Sequence, residues 1–228
     1  MVYSVCAQTL GEAWKKSIRA VQEGGEIHFD EDVQLLELRQ GLSLTISEPR
    51  VEDPIIERWG DPQVLARMMK KFAIGTKMSD RPFTYGELIY SKNGVDQFAW
   101  MVERIRRKPE TKSATISLLS EGDGSPNLPC LVCLDAKLRK GFLDLHFFFR
   151  SQNVVGRQYA NLVALADLQA RMASTLSCKV GNLSGYAASP HIYEYDYDHA
   201  QNILAGLEFE NVDLFYTHGP KSIRGGYS

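Results

Sequence analysis

The chain of 228 residues has little cysteine, little net charge and no long apolar run. Its four cysteines, Cys6, Cys130, Cys133 and Cys178, form no disulfide framework in a chain of this length, so we expect a reducing, cytoplasmic setting. A formal net charge of −2 gives no bulk electrostatic signal for a nucleic-acid or membrane partner. No apolar run approaches the roughly 20 residues that cross a bilayer, and polar residues near the start argue against a signal peptide.

The composition predicts one domain with a mixed fold. Because 44% of the residues are hydrophobic, the chain can bury a sizeable core, and we predict a single domain over residues 1–228. Helical and strand patterns mix without strict alternation, which favours an α+β fold or a mixed sheet. The patterns predict helices over 9–24, 61–72, 83–108, 159–176 and 198–207. They predict strands over 33–39, 42–47, 115–119, 130–134, 142–149, 183–195 and 212–216.

Local basic clusters and polar stretches have simple interpretations. The clusters at 15–16, 70–71 and 104–108 lie on predicted helices, and we interpret each as a solvated helix face. The segments 48–54, 75–82 and 121–126 are rich in glycine, proline or polar residues and are predicted to be loops.

The Cys-x-x-Cys pair, Cys130 and Cys133, suggests either a zinc or a redox site. A zinc site needs about four ligands, and no second Cys or His pair lies at a suitable spacing, so we predict no metal. Positions three apart on a strand point to opposite faces. We interpret Cys133, Cys6 and Cys178 as buried small apolar residues, whereas a reactive Cys130 stays open. The acidic and aromatic run at 195–199 is interpreted as a solvated helix start.

Two residues at a strand end could hold a phosphate. Arg150 ends the apolar stretch Phe142–Phe149, where a charge needs a partner, either a phosphate or a structural salt bridge. A guanidinium suits a phosphate in bidentate geometry, and a nearby cation lowers a thiol pKa. Ser151 would add a hydroxyl to the same anion.

Three further residues have both a functional and a structural interpretation. Asn161 lies near a predicted helix start, where it is either a capping residue or an amide that reads a pyrimidine base. His191 and Tyr193 alternate along an extended segment and therefore share a face. They are either a ligand-contacting pair or a core or interface pair with satisfied hydrogen bonds.

The order and spacing of these residues resemble the thymidylate synthase family. The resemblance rests on Pro129-Cys130, on Arg150-Ser151 with Asn161 eleven residues after the arginine, and on His191-x-Tyr193. It covers most of the chain, and the first ninety residues are similar to short archaeal-type synthase-like proteins. It implies a three-layer α+β fold whose mixed sheet forms a homodimer interface.

The resemblance also implies an activity, that of a pyrimidine nucleotide C5 one-carbon transferase. A Cys130 thiolate would add to C6 of a pyrimidine nucleoside monophosphate, and 5,10-methylenetetrahydrofolate or a tetrahydromethanopterin analogue would give the carbon. Methylation of dUMP is the favoured reaction. The alternatives are hydroxymethylation of CMP or dCMP, and nucleotide binding by a homologue that has lost catalysis. The implied nucleotide-binding residues are Lys112, Arg150, Ser151, Asn153, Asn161, His191 and Tyr193, with Tyr85 in support.

The sequence departs from the family's pattern at several positions. Leu131 replaces a histidine of the family, and Asn153 replaces an aspartate. Lys112-Ser113 replaces two arginines that come from the neighbouring subunit, and Arg67 replaces the helix-borne catalytic glutamate. The glycine after Arg-Ser is shifted by one position, to Gly156. Glu57 and Glu87 are the alternative carboxylates. These departures bear on methyl transfer more than on nucleotide binding.

Overall fold

A computed structural model describes residues 3–120 and 128–206. In this part of the chain the strands are β1 Tyr3–Ala7, β2 Glu26–Asp30, β3 Val33–Glu37, β4 Leu42–Ile46, β5 Thr115–Ser117, β6 Leu131–Arg139, β7 Phe142–Phe149, β8 Gln152–Asn153, β9 Lys179–Ala187 and β10 Pro190–Tyr193. The α-helices are α1 Leu10–Gly24, α2 Pro54–Trp59, α3 Pro62–Phe72, α4 Tyr85–Tyr90, α5 Gln97–Arg107, α6 Gln158–Thr175 and α7 Tyr197–Ala205.

The strands form two sheets. The larger sheet has the order β1-β4-β9-β7-β6-β5, and the smaller one β2-β3-β10-β8. In the larger sheet β1 with β4 and β7 with β9 pair in parallel, while the remaining neighbours pair antiparallel. The predicted α+β fold with a mixed sheet is confirmed.

Helices form the layer between the sheets. Helix α1 contacts β1 and β4 of the larger sheet and β3 and β10 of the smaller one. Its Trp14 is fully buried and donates its indole N–H to the Val154 carbonyl at 2.7 Å. Helix α6 is apolar on nearly all sides and packs against α1, α3 and the larger sheet. The site residues that follow β7 are therefore attached to the buried centre of the molecule.

The other face of the larger sheet is only partly covered by the described residues. Side chains that point away from the helices along β6, β7 and β9, such as Cys133, His146 and Ser184, are partly exposed. His146 and Ser184 share a hydrogen bond of 2.8 Å, and Phe148 stacks on Tyr186 with ring centroids 5.9 Å apart.

Helix starts and the tight turn follow from local sequence. Thr9 caps α1 by accepting from the Glu12 N–H at 3.2 Å, and Asp61 caps α3 ahead of Pro62. The turn between β6 and β7 uses Lys140 and Gly141, both with positive φ, as a two-residue hairpin requires. Four of the five predicted helices are confirmed within one or two residues at their boundaries. The single helix predicted over 83–108 is wrong, because a turn at Asn93 and Gly94, both with positive φ, separates α4 from α5. The strand predicted over 183–195 is likewise two strands, β9 and β10, which lie in different sheets.

Some expectations were wrong or incomplete. The predicted loop 48–54 runs into α2, which Asp53 caps, and the short strands β1, β2 and β8 had no prediction. Strands β3 and β4, predicted across a short turn, lie in different sheets. Cys6 is exposed on an edge strand rather than buried. The predicted loop 121–126 and strand 212–216 lie outside the described residues. None of the described helices combines the length and apolarity that a membrane span requires.

Candidate active site

Cys130 lies immediately before β6, at the edge of a cleft. The Arg150 main-chain N–H donates to the Cys130 carbonyl at 2.9 Å, which continues the β6–β7 ladder beyond the ends of both strands. The register shifts between Leu131 and Cys133, an irregularity at the start of β6 that separates the two cysteines of the Cys-x-x-Cys pair. Cys133 pairs with Phe148 on the ladder, and burial, then Asp135, raises the pKa of its thiol.

The cleft beside Cys130 has a volume of about 270 Å³. Its lining combines three cations, one carboxylate and an aromatic and apolar wall. The lining residues are Lys71, Asp80, Arg81, Pro82, Phe83, Tyr85, Leu128, Pro129, Cys130 and Arg150. The cleft thus brings together three residues that the sequence singled out, namely Tyr85, Cys130 and Arg150.

Arg150 is held over the Pro-Cys segment. Its Nη2 donates to the Leu128 carbonyl at 2.9 Å and its Nε to the Pro129 carbonyl at 3.2 Å. No described carboxylate forms an ion pair with it, so its charge is not neutralised within residues 3–120 and 128–206. The salt-bridge interpretation from sequence is therefore wrong for the described part of the chain.

Tyr85 is buried at the start of α4, with 3% of its surface exposed. Its hydroxyl accepts the Leu131 N–H at 3.2 Å, so the residue after the cysteine is tied to this phenol through its backbone. Burial, followed by the charge of Cys130, raises the pKa of Tyr85. Leu131 itself is fully buried, which fits an apolar residue at the position where the family has a histidine.

Lys71 lies in the last turn of α3, with its ammonium 3.9 Å from the centre of the Tyr85 ring. Sequence reasoning placed the pair Lys70-Lys71 on a solvated face; Lys70 is exposed, but Lys71 is partly buried and lines the cleft. The close approach of α4 explains this, since a Cβ on Gly86 would lie 2.0 Å from the Ala73 carbonyl oxygen. Glycine lets Tyr85 reach the end of α3.

An ion-pair cluster closes one side of the cleft. Asp80 pairs with both Arg67 and Arg81. Burial raises the pKa of Asp80, but Arg81 and Arg67 outweigh it and lower the pKa overall. The Arg81 Nε is buried without a hydrogen-bond partner among the described residues. Arg67, which the resemblance matches to the family's glutamate, is linked to the cleft through Asp80 among the described residues.

Asn161 belongs to the first turn of α6 and does not cap it. The cap position is Arg157, and no side chain bonds there, so the capping interpretation is wrong. Asn161 is 6% exposed, and its Oδ1 has no hydrogen-bond donor among the described residues. Asn153, three residues after Arg150, donates to Asp196 at 3.1 Å and accepts from the Gly156 N–H at 2.7 Å.

His191 and Tyr193 lie on β10, with ring centroids 4.9 Å apart in an edge arrangement. His191 is buried, pairs with Asn153 on the β8–β10 ladder, and has a pKa lowered by burial. The Tyr193 hydroxyl donates to Asp30 at 2.7 Å. Burial first, then Asp30, raises the pKa of Tyr193.

The remaining predicted residues lie outside the cleft lining, as do Asn153, Asn161, His191 and Tyr193. Lys112 is exposed ahead of β5, and Ser151 is partly exposed between β7 and β8. Glu87 caps α4 by accepting from the Thr84 N–H at 2.8 Å, and Glu57 is exposed on α2. In residues 3–120 and 128–206 no cluster of three His, Cys, Asp or Glu side chains could hold a metal ion. The run at 195–199 is not fully solvated, because Asp196 is buried.

Comparison with known proteins decides the family. The family model described as thymidylate synthase matches residues 49–223, more than half of the chain. The chain belongs to the thymidylate synthase family. Members of this family are one-carbon transferases that act on a pyrimidine nucleotide, so the predicted enzyme class is confirmed.

Individual relatives support the same assignment. A Methanosarcina barkeri protein named "Putative thymidylate synthase" is 28% identical over 212 residues, 89% of this chain and 95% of its own. A protein of the same name from Methanothermobacter thermautotrophicus is 25% identical over 222 residues, 90% of this chain and 99% of its own. A Bacillus phage SP01 protein named deoxyuridylate hydroxymethyltransferase is 31% identical over 111 residues, 46% of this chain and 29% of its own.

Proposed function

We propose that this member of the thymidylate synthase family methylates C5 of dUMP through a covalent adduct between Cys130 and C6 of the base. The observation that carries the proposal is the cleft that unites Cys130, Arg150 and Tyr85. These residues come from positions 85, 130 and 150 of the chain, and a nucleophile, a cation and a buried phenol are what nucleotide addition chemistry requires.

Cys130 acts as the nucleophile. A lysine and two arginines line the cleft beside it and favour negative charge there. The sulfur bonds to C6, and the electron pair of the C5–C6 double bond moves to C5 and the O4 carbonyl. C5 is then the carbon that takes up the one-carbon unit.

Arg150 and Ser151 bind the phosphate. The Arg150 guanidinium has only carbonyl partners among the described residues, so it retains the net charge that a phosphate dianion needs. Ser151 follows directly and is partly exposed. Lys112, exposed on another part of the surface, would reach the phosphate of a neighbouring subunit.

Asn161 reads the base. Its buried Oδ1 lacks a donor, and N3–H of uracil supplies one, while its amide N–H would donate to O4. In this orientation the amide matches uracil, whereas a flipped amide would match cytosine. His191 and Tyr193, on strand β10, hold the sugar hydroxyl. Asn153 lies opposite His191 in the pairing of β8 with β10 and so helps to position it.

The donor in this family is of the methylenetetrahydrofolate type. The cleft fits a flat reduced pterin, because Phe83 and Pro82 form an apolar wall beside Cys130 on which a ring can pack. The bound donor, methylenetetrahydrofolate or a tetrahydromethanopterin analogue, supplies the one-carbon unit and the hydride.

We further propose a homodimer formed through the open face of the larger sheet. This face is partly exposed and carries a stacked aromatic pair that a second copy would cover; its partly exposed residues are Cys133, His146, Phe148, Ser184 and Tyr186.

A reducing, cytoplasmic setting fits the chemistry, because all four cysteines are free and the nucleophile must stay reduced.

Hydroxymethylation is a second candidate, favoured by the relative from phage SP01. It shares the thiolate adduct and differs only in the last step, in which water rather than hydride adds to the carbon unit. Product analysis therefore separates the two activities.

Release of tritium from a 5-tritiated nucleotide tests the proposal. With a methylene-pterin present, we expect release from dUMP in preference to dCMP, UMP and CMP, and a methylated base as the product. Cys130→Ser should abolish release, because a serine alkoxide is far harder to form near neutral pH. Cys133→Ser is the matched control and should retain most activity, since Cys133 does not line the cleft.

Two results would count against this assignment. A dead Cys133→Ser with an active Cys130→Ser would move the nucleophile to Cys133. A wild-type protein that binds nucleotides but releases no tritium with any of the four, with either pterin class, would leave an inactive nucleotide-binding homologue.

A further inference from the structure

Proton transfer at C5 needs an acid–base group, and no carboxylate among the described lining residues is free to act as one. Asp80 is the one carboxylate among the described lining residues, and two arginines hold it in ion pairs. Glu87 is used in the cap of α4, and Glu57 lies elsewhere. Arg67, which the resemblance matches to the family's glutamate, cannot act as a base near neutral pH.

We propose that Lys71 is the catalytic acid–base residue of this enzyme and exchanges the proton at C5 of the nucleotide. The inference rests on the proposed function, because it needs a pyrimidine bound against Cys130. It assigns a role to a residue that sequence patterns alone predict to lie on a solvated helix face.

The position of Lys71 carries the inference. Its ammonium lines the cleft with Cys130 and lies 3.9 Å from the centre of the Tyr85 ring. Among the described residues it has no carboxylate or hydrogen-bond partner, so its N–H groups remain available to a ligand. The close contact of Gly86 with Ala73 fixes the helix end that carries Lys71.

The electrostatics suit proton transfer near neutral pH. Burial, then the charge of Arg81, lowers the pKa of Lys71 from 10.5 to about 8, while Cys130 acts in the opposite sense. At pH 7 about a tenth of such a group is the free amine, so both protonation states are accessible. Tyr85 has a raised pKa and Asp80 a lowered one, and neither change favours proton exchange at this pH.

The step balances without an oxidant or reductant. The Cys130 sulfur bonds to C6, the π electrons move to C5, and the Lys71 ammonium gives a proton to C5 and becomes an amine. The amine then removes the original hydrogen from C5, the C5–C6 double bond re-forms, and the thiolate leaves. The net result is exchange of the C5 hydrogen with water. When C5 carries a one-carbon unit, the same amine removes the remaining hydrogen.

Several charged or titratable groups lie around Lys71 and bear on its pH dependence. They come from the loop before α4, the start of β6, the end of β7, the residue before α6, α4 and α3 itself. The groups are Asp80, Arg81, Cys130, Arg150, Arg157, Tyr85 and Arg67. Arg157 also lowers the pKa of Lys71, and Asp80 raises it.

The test measures loss of the C5 hydrogen from dUMP in two ways. One is deuterium uptake in D₂O with the nucleotide alone, and the other is tritium release with a methylene-pterin. Lys71→Met should slow both by about 100-fold or more, the usual contribution of general acid–base catalysis, while dUMP affinity changes less than about threefold. Lys71→Arg keeps the charge but not an accessible amine, so we expect it to be similarly slow.

The control and the pH profile make the test specific. Lys70→Met removes a neighbouring exposed charge and should behave as the wild type. The wild-type rate should change through a pKa of about 8 that is absent in Lys71→Arg.

The outcomes separate the inference from the proposed function. Wild-type exchange together with comparable exchange by Lys71→Met would overturn the role of Lys71 alone. Full exchange by Lys71→Arg would show that only its charge matters and would also overturn proton transfer. No hydrogen loss from any nucleotide by the wild type, in either assay, would overturn both.

Discussion

The main-chain N–H of Arg150 lies 2.9 Å from the carbonyl oxygen of Cys130, and its side chain folds over the carbonyls of Leu128 and Pro129. The cation proposed for the phosphate therefore also fixes the segment that carries the proposed nucleophile. Binding and nucleophile placement are coupled through one residue.

Arg150→Ala should weaken dUMP binding by about 2 kcal/mol or more, which is the scale of a lost charge-assisted contact. Isothermal titration measures the change. Arg139→Ala is the matched control, because Arg139 also holds loop carbonyls, those of Thr111 and Pro109, but does not line the cleft. Equal affinity of the folded Arg150 variant and the wild type would remove Arg150 from the phosphate site.

Asn161→Asp should move base preference towards cytidine nucleotides. The carboxylate accepts from the exocyclic amine of cytosine and repels O4 of uracil, and a buried hydrogen-bond mismatch costs about 1–3 kcal/mol. The ratio of dUMP to dCMP affinity should therefore fall about tenfold or more. Asn161→Ala should lose discrimination without reversing it. An unchanged ratio in both variants would exclude Asn161 from base recognition.

Mixing inactive Cys130→Ala and Lys112→Ala subunits should restore activity if Lys112 acts across a dimer. Random exchange makes half of the dimers mixed, each with one intact site, so about a quarter of wild-type activity is expected. Native mass spectrometry verifies the exchange. Verified mixed dimers without activity would confine each site to one chain.

Gly86→Ala should destabilise the protein by about 1–3 kcal/mol, because the new Cβ would lie 2.0 Å from the backbone oxygen of Ala73. The shift of α4 should also move Tyr85 away from Lys71 and reduce catalysis. Thermal unfolding and tritium release measure the two effects. A variant with the wild-type melting temperature and activity would contradict this account of the contact.

Lys71→Met should raise the free energy of unfolding near pH 7, because it removes a buried charge. The net gain should be on the order of 1 kcal/mol, since the contact of the ammonium with the Tyr85 ring is lost as well. The pKa of Lys71 is about 8 in the folded state, against an ordinary value of 10.5. The buried charge therefore destabilises the folded state to its full extent below pH 8. The unfolded chain binds more protons between these values, so wild-type stability rises with pH there.

The increase in the free energy of unfolding caused by Lys71→Met should therefore shrink as the pH rises from about 8 towards 10.5. Denaturant titrations at several pH values measure it, with Lys70→Met as the control. A gain that is the same across this range would show that the ammonium is not desolvated in the folded state.

The local structure could be predicted because its causes are local. Thr9 and Asp61 cap their helices through bonds to the residues two or three positions ahead, and Lys140-Gly141 forms a turn within two residues. The stretch Phe142–Phe149 indicates a strand because it is rich in aromatic residues and its leucines alternate with Asp144 and His146. The spacing from Arg150 to Asn161 carried the family resemblance.

The sequence by itself thus determined most helices, the central strands and the identity of Cys130 and Arg150 as candidate residues. The tertiary structure alone decided that Lys71 faces the cleft while Lys70 faces water, because that depends on α4 packing closely against the end of α3 at Gly86. It also decided that Asn161 lies inside the first turn of α6 with an unsatisfied oxygen. Periodicity says which residues share a face, but only the packing of distant segments says what each face meets.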